Sequence, residues 1–197
     1  MKPVLISLVC LALLRAPSAA TDISTHSFGG CTLPDTNQSV SYTATYGEDH
    51  DYASSVSSMS FTIYNGVDWG GTATSSVTVD NRTGLMWLTN PGDAARGGTY
   101  TWLNALSACE GLTYSGFSDW RLPNVRELIS IVDYGTTTAP SINTTAFPAT
   151  ASNYYWTSTT YVPSTTYAWY VAFNPNVMGN LGKTNSACIR CVRAGPP

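Results

Sequence analysis

Residues 119–128 of the chain read DWRLPNVREL, and this stretch leads into a short helix. Asn124 is a residue type that favours the N-cap position, where its side chain accepts a hydrogen bond from the first helical turn. Glu127, three positions later, completes a capping-box pattern. The stretch therefore predicts a helix that begins directly after Asn124. Its apolar face would come from Leu128, Ile131 and Val132.

The same stretch brings two carboxylates and an arginine close together in sequence, a set that resembles a catalytic constellation. A structural role is available to each of these residues, because an arginine buried beside carboxylates is commonly held by bidentate hydrogen bonds. Structural ion-pair networks often imitate functional sites in this way. We therefore assign the following residues to the scaffold of the domain: Asp119, Trp120, Arg121 and Glu127.

Upstream of this helix the pattern predicts strands and one further helix. Residues 60–64 alternate as a short strand does. Residues 77–79 and 85–88 flank a glycine-closed turn and predict a hairpin. Residues 101–111 predict the first helix. Its buried stripe would consist of Leu103, Leu106 and Cys109.

Downstream, a long loop rich in threonine and proline covers residues 134–148, and the remainder predicts strands at 155–158, 167–173 and 188–193. In the middle one of these strands, alternation assigns one face to the core and points Tyr170 the other way. The core face would carry Trp169, Val171 and Phe173. The order of elements predicts an α+β domain with a mostly antiparallel sheet, two helices and long loops.

The N-terminal residues have the pattern of an export signal. Lys2 precedes a short apolar run, and small residues end at Ala20, where we expect cleavage. We therefore divide the chain into a signal peptide at 1–20, a loop-rich lead-in at 21–58 and a folded domain at 59–197. No later segment is apolar and long enough to predict a transmembrane helix. We expect a protein that is secreted, periplasmic or displayed on the cell surface.

The charge of the mature chain excludes one large class of partners. Loss of Lys2 and Arg15 leaves seven of the nine basic residues against twelve acidic ones, a net charge of −5. Only one lysine, Lys183, remains. Binding to nucleic acid requires clustered lysine and arginine, so we expect no nucleic-acid partner.

Four cysteines follow the signal: Cys31, Cys109, Cys188 and Cys191. An exported chain with four cysteines predicts two disulfides, for which three pairings exist. Cys188 and Cys191 have the spacing of a redox pair, but they lie in a predicted strand, where residues three apart face opposite sides. Each of these two sulfurs is therefore expected to bond a separate partner.

Candidate catalytic bases and metal ligands are few. The two histidines, His26 and His50, lie in the lead-in, and no base stands beside a nucleophile, so we expect no enzyme. Glu48, Asp49 and Asp51 offer oxygen ligands of the kind that calcium takes. A solvated acidic turn explains the same residues, and we expect no cofactor, with calcium as the open alternative.

Several segments together resemble the Legionella collagen-like protein C-terminal domain family, over roughly residues 33–194. The segments follow one another in the family's order. They are 79–87 (VDNRTGLMW), 101–112, 118–128, 154–159, 168–171, 183–185 and 190–193.

This resemblance implies a C-type-lectin-like fold, a location outside the cytoplasm, and adhesion or glycan binding. It also implies that Cys109 pairs with Cys191. Cys31 and Cys188 are additions to the family's pattern and would then bond each other. The family's namesake binds sulfated glycans through basic surface, whereas this chain is acidic and contains no collagen-like repeat.

We therefore expect a binding protein for a glycan or a cell-surface protein. Tyrosine rings can stack on sugar faces while asparagine amides bond hydroxyl groups. Turn formation and packing explain the same residue types. The alternative function is a structural subunit that associates with copies of itself. The expected ligand-binding residues are Tyr161, Tyr167, Tyr170, Asn174, Asn176, Asn180 and Lys183.

Overall fold

The computed structural model describes residues 36–38, 40–44, 48–49, 58–174 and 178–196. The predicted signal peptide, most of the lead-in, Cys31, Asp51 and Asn176 lie outside the described residues. The described domain contains two α-helices, nine strands and two short 3-10 helices at Gly66–Trp69 and Pro91–Ala94. The α-helices and strands are named in chain order. They are β1 (Phe61–Asn65), β2 (Ser76–Asp80), β3 (Met86–Leu88), β4 (Thr99–Tyr100), α1 (Trp102–Glu110), α2 (Val125–Ile129), β5 (Tyr154–Thr160), β6 (Tyr167–Ala172), β7 (Met178–Gly182), β8 (Ala187–Cys188) and β9 (Val192–Arg193).

The strands form two sheets. One has the order β1-β2-β3-β9 and the other the order β4-β8-β5-β6-β7. Every strand pair is antiparallel except β5 with β8, which run parallel through a single pair of residues. The predicted α+β class with two helices and a mostly antiparallel arrangement is confirmed.

Helix α2 begins where the sequence predicts. Asn124 Oδ1 accepts a hydrogen bond from the Glu127 backbone N–H at 3.0 Å, and Glu127 Oε2 accepts one from the Asn124 N–H at 2.8 Å. This capping box satisfies two N–H groups that a helix start leaves without partners. Leu128, Ile131 and Val132 are buried as predicted, but the helix ends at Ile129, so Ile131 and Val132 follow the helix and do not lie on its face.

Helix α1 differs from its prediction in one respect. Its bounds fall within one residue of the predicted 101–111, but Leu103 is 67% exposed, so the predicted Leu103–Leu106–Cys109 stripe is wrong at its first member. The helix buries Ala105 and Cys109 instead, because residues four apart lie on one face of a helix.

The five-stranded sheet separates two apolar clusters. Successive side chains of a strand point to opposite sides, and on β5 Tyr155 belongs to one cluster while Trp156 belongs to the other. The first cluster includes Trp120 and the Cys109 side chain of α1. The second cluster contains Leu128 of α2. The two helices therefore pack on opposite sides of the five-stranded sheet.

A disulfide joins Cys109 of α1 to Cys191, with 5.5 Å between their Cα atoms and no exposure of either residue. The pairing implied by the family resemblance is confirmed for this bond. Cys188 has no disulfide partner in the part of the chain that the structure describes, and Cys31 lies outside that part. The Cys31–Cys188 bond stays a prediction, which non-reducing peptide mapping decides.

The predicted closing strand at 188–193 is wrong as a single element. Its residues form β8 in the five-stranded sheet and β9 in the four-stranded sheet. Cys188 lies in the second cluster and Cys191 in the first, so the two sulfurs face different sides of the fold. Arg190, between the two short strands, is completely buried.

Candidate functional site

Three aromatic side chains and one amide lie on the outer part of the five-stranded sheet, and we call Tyr161, Tyr167, Trp169 and Asn180 the aromatic patch. Tyr167 and Trp169 are two residues apart on β6 and therefore point to the same side. The ring of Tyr161 meets the Trp169 ring edge-on, with 5.2 Å between centroids. Tyr167 is 41% exposed, and the other two rings are half-buried.

A tight connection between β5 and β6 holds these rings in place. The Tyr161 N–H donates to Tyr167 O at 3.0 Å, and the Tyr167 N–H donates to Ser164 O at 2.9 Å. The tyrosines at the two ends of the loop are thereby fixed by backbone hydrogen bonds rather than by side-chain packing alone. The rings are positioned before any ligand arrives.

Strand β7 completes the patch. Its residue Asn180 stands opposite Trp169 and its residue Gly182 stands opposite Tyr167. A Cβ at Gly182 would lie 3.0 Å from Asn185 Nδ2 and 3.9 Å from the Tyr167 ring, so the Asn185 amide lies beside Gly182 and the exposed Tyr167 ring. Asn180 is exposed, and no described residue forms a hydrogen bond with its amide. The patch therefore combines accessible rings with an amide that is available to a ligand.

Tyr170 lies on the opposite side of the sheet from this patch. Its ring stacks on Tyr154 at a centroid distance of 4.4 Å and packs against the first apolar cluster. Burial raises its pKa above the usual value, and the nearby Tyr154 acts in the same direction. The prediction that Tyr170 shares a binding surface with Tyr167 and Asn180 is wrong, because strand residues an odd number of positions apart face opposite sides of the sheet.

Lys183 also lies apart from the patch. Its Nζ donates to Thr160 Oγ1 at 2.9 Å and sits 3.9 Å from the centre of the Trp102 ring. Trp102 in turn donates from Nε1 to Thr157 O at 2.8 Å. Lys183 thus fastens the start of α1 to the sheet. Of the remaining predicted ligand-binding residues, Asn174 is half-buried just after β6, and Asn176 lies outside the described residues.

Trp169 is a patch member that the sequence analysis missed. It was assigned to the core with Val171 and Phe173, which are both fully buried in the second cluster. Trp169 is only half-buried and belongs to neither cluster. The core assignment of Trp169 is therefore wrong, and strand alternation carries no signal that could have separated it from Val171.

The residues of the 119–128 stretch form two separate ion pairs. Arg121 donates to both carboxylate oxygens of Glu127, at 2.8 and 2.6 Å. Burial opposes ionisation of Glu127, but the hydrogen bonds from Arg121 and from the Asn124 N–H outweigh it, so its pKa is lowered. The Arg121 side chain is 42% exposed, so the expectation that Arg121 is a buried arginine is wrong.

Asp119 pairs with Arg193 rather than with Arg121. Arg193 Nε donates to Asp119 Oδ1 at 2.7 Å, and Arg193 lies 3.8 Å from the centre of the Phe117 ring. The hydrogen bond from Arg193 lowers the pKa of Asp119. Trp120 is buried, and its Nε1 donates to Tyr114 O.

Several cavities lie elsewhere on the described surface, and two of them border residues discussed above. An open groove of about 450 Å³ runs between α1 and the start of α2, lined in part by Leu106, Glu110 and Arg121. A second cavity, of about 240 Å³, is lined in part by Tyr155 and Cys188. Burial raises the pKa of the Cys188 thiol, against the opposing effect of Arg190, so this sulfur is a poor nucleophile near neutral pH.

The candidate calcium ligands have other hydrogen-bond partners where they are described. Glu48 Oε2 accepts from the backbone N–H groups of Tyr42 and Thr43, and the first of these bonds is the largest cause of its lowered pKa. Asp49 accepts a hydrogen bond from Thr36 Oγ1. Within the described ranges, no group of three or more histidine, cysteine or acidic side chains could hold a metal ion. Asp51 lies outside those ranges.

Among the helices that the structure describes, none has the length and apolar character needed to cross a bilayer.

A family model described as the Lcl C-terminal domain matches residues 76–193, which include both helices and all of the aromatic patch. No curated protein matches the chain.

Proposed function

Because the chain belongs to the Lcl C-terminal domain family, we propose that it is an exported, non-catalytic protein of C-type-lectin-like fold whose aromatic patch binds a neutral glycan. The exported location rests on the signal-like sequence at 1–20 and is compatible with the buried Cys109–Cys191 disulfide. The glycan as ligand rests on the composition and geometry of the patch.

The observation that carries this proposal is the pairing of open rings with an unengaged amide. A sugar presents apolar C–H faces, which pack on aromatic rings, and hydroxyl groups, which exchange hydrogen bonds with an amide. Tyr167 is exposed beside Gly182, and Asn180 stands across the strand pair from Trp169. A ligand lying across β6 and β7 would therefore contact a ring and the amide together.

Charge favours a neutral ligand over a sulfated one. The expected mature chain carries a net charge of −5, and its one lysine, Lys183, lies over the Trp102 ring on the other side of the sheet. Lys183 follows Asn180 by three residues, but its Nζ is held by Thr160 and the Trp102 ring. Binding should therefore depend weakly on salt, unlike binding that neutralises phosphate or sulfate groups.

The test is a glycan array that carries neutral oligosaccharides and heparin fragments, followed by calorimetric titration of the best neutral hit. Tyr167→Ala should weaken binding about tenfold, because loss of one stacking ring costs about 1.4 kcal/mol. Asn180→Ala should also weaken binding, because the amide hydrogen bonds to the sugar hydroxyl groups are lost.

Tyr154→Ala is the matched control, since Tyr154 is 38% exposed on the opposite side of the same sheet. It should bind as the parent does. Equal loss in Tyr154→Ala and Tyr167→Ala, or binding of heparin alone with steep salt dependence, would contradict the proposal.

A further inference from the structure

Strand β7 forms one edge of the five-stranded sheet, and within the described residues its only strand neighbour is β6. Edge strands are normally protected from pairing with another chain by lysine, proline, bulges or a covering element. The sequence of β7, Met-Gly-Asn-Leu-Gly, contains no charged residue and no proline. Met178 is 51% exposed at its start. Among the residues that the structure describes, nothing supplies the usual protection of this edge.

The hydrogen bonds on the other side of β7 show which of its backbone groups point outward. The Lys183 N–H donates to Thr166 O at 2.9 Å, so these two residues form a hydrogen-bonded pair. Hydrogen-bonded and non-hydrogen-bonded pairs alternate along an antiparallel ladder. Leu181 and Gly179 therefore direct their backbone groups toward β6. Asn180, between them, directs its N–H and C=O away from the sheet.

The side chains of β7 are complementary to those of a second β7 that runs in the opposite direction. A two-fold axis through Asn180 places Met178 opposite Gly182 of the second copy and Leu181 opposite Gly179 of the second copy. Each large side chain then faces a glycine. The two Asn180 residues face each other and exchange both of their outward backbone hydrogen bonds.

We propose that two copies of this chain associate through antiparallel pairing of β7, which joins their five-stranded sheets into one sheet of ten strands. A second copy is favoured over an unrelated extended peptide because reversal of β7 about Asn180 sets Met178 and Leu181 each opposite a glycine. The interface itself is uncharged, whereas the two mature copies each carry the expected charge of −5. Salt should therefore strengthen the dimer by screening this repulsion.

This pairing would place the two aromatic patches on the same face of the joined sheet. Strands in a sheet are about 4.8 Å apart, so the two Trp169 residues would stand roughly 14 Å apart, three strand spacings. A polysaccharide longer than this distance can then contact both patches, which raises its apparent affinity by linking two binding events. This consequence rests on the proposed function, whereas the dimer itself does not.

Pairing of one five-residue strand buries less surface than a standard stable interface. We therefore expect a dimer that forms with increasing concentration and dissociates on dilution. Sedimentation equilibrium of the purified mature protein, without any glycan, over about 10 µM to about 1 mM covers the corresponding range of binding free energy.

Asn180→Lys is the main variant, because it sets two like charges directly opposite each other in the dimer. Thr184→Lys is its control: it adds the same charge to an exposed residue just beyond the strand. The parent and Thr184→Lys should dimerise alike, and Asn180→Lys should remain monomeric with an unchanged thermal melting curve.

Asn180→Pro provides a second probe, since proline removes an outward N–H that no described strand pairs with. Sheets tolerate proline at such an edge position. A monomeric parent at the highest concentration would overturn the proposal. So would dimerisation that both Asn180 variants leave intact. Because no glycan is present, neither result bears on the binding proposal.

Discussion

Arg190→Ala is the substitution that should reveal how strongly the end of the chain is tied to the rest of the fold. The Arg190 side chain is completely buried, and its guanidinium donates to Leu88 O, to Thr89 O at 2.8 Å and to Thr150 Oγ1 at 2.7 Å. It also lies 5.1 Å from the centre of the Phe147 ring. Burial lowers its pKa to about 10, so it is charged at neutral pH.

The magnitude follows from what the variant leaves behind. Leu88 O and Thr89 O lose a charged donor inside the protein, and each buried acceptor without a partner costs about 1–3 kcal/mol. The shortened side chain adds a cavity, although removal of a buried charge offsets part of the loss. We expect Arg190→Ala to lower the free energy of unfolding by about 3–5 kcal/mol. Arg121→Ala should lower it by at most about 1 kcal/mol, because that guanidinium is 42% exposed to solvent.

Urea unfolding followed by tryptophan fluorescence measures both values, with Arg126→Ala as the control for removal of an exposed arginine. Arg126→Ala should change the free energy of unfolding by less than about 0.5 kcal/mol. The reasoning fails if Arg121→Ala is as damaging as Arg190→Ala. It also fails if Arg190→Ala unfolds at the same urea concentration as the parent.

Three further outcomes follow from the packing. In urea unfolding, the double variant Cys109→Ala/Cys191→Ala should have a free energy of unfolding about 4.5 kcal/mol lower than the parent, because the disulfide closes a loop with a sequence separation of 82. A decrease below about 1 kcal/mol would contradict the loop-entropy account. The pKa of Glu127 is lowered in the folded state, so its contribution to the free energy of unfolding is fully present above the usual glutamate pKa and is lost as the pH falls through the lowered value. Glu127→Gln should therefore reduce the loss of stability on the acid side. An unchanged dependence of stability on pH would refute this assignment. Gly179→Ala should lower stability by about 1–3 kcal/mol, since a Cβ there would lie 2.6–3.0 Å from three atoms of Tyr170; an unchanged melting temperature would show that the ring moves freely.

Elements that depend on neighbours in sequence could be predicted from the sequence. The start of α2 is set by Asn124 and Glu127, three residues apart, and the hairpin turn by Asp80, whose carboxylate accepts from Arg82 N–H and Thr83 Oγ1. Both signals act within one turn of chain, where a residue's own chemistry decides the backbone conformation. The bounds of β2 and β3 and the start of α2 therefore agree closely with their predictions.

The division of the predicted C-terminal strand into β8 and β9 could not be predicted from the sequence, because the two parts pair with different sheets. Alternation alone favours one continuous strand from Cys188 to Arg193. In the structure β8 pairs with β4 and β5, whereas β9 pairs with β3, and the chain crosses from one sheet to the other at Arg190. A buried arginine whose guanidinium donates to two backbone carbonyls marks this crossing. Its acceptors lie about a hundred residues earlier, beyond the reach of any local pattern.

The aromatic patch lies on the part of the sheet face that α2 does not cover, so its position depends on the length and placement of that helix. Helix α2 has five residues and is therefore about 7.5 Å long. Alternate residues of a strand are about 6.6 Å apart. A helix of this length can therefore cover about two of them on one face of the sheet. Val171 and Phe173 are the two that share a cluster with Leu128 of α2, and Trp169 lies one step beyond. Periodicity assigns all three aromatic and aliphatic residues to one face, but only the length and placement of the helix decide which of them a ligand can reach.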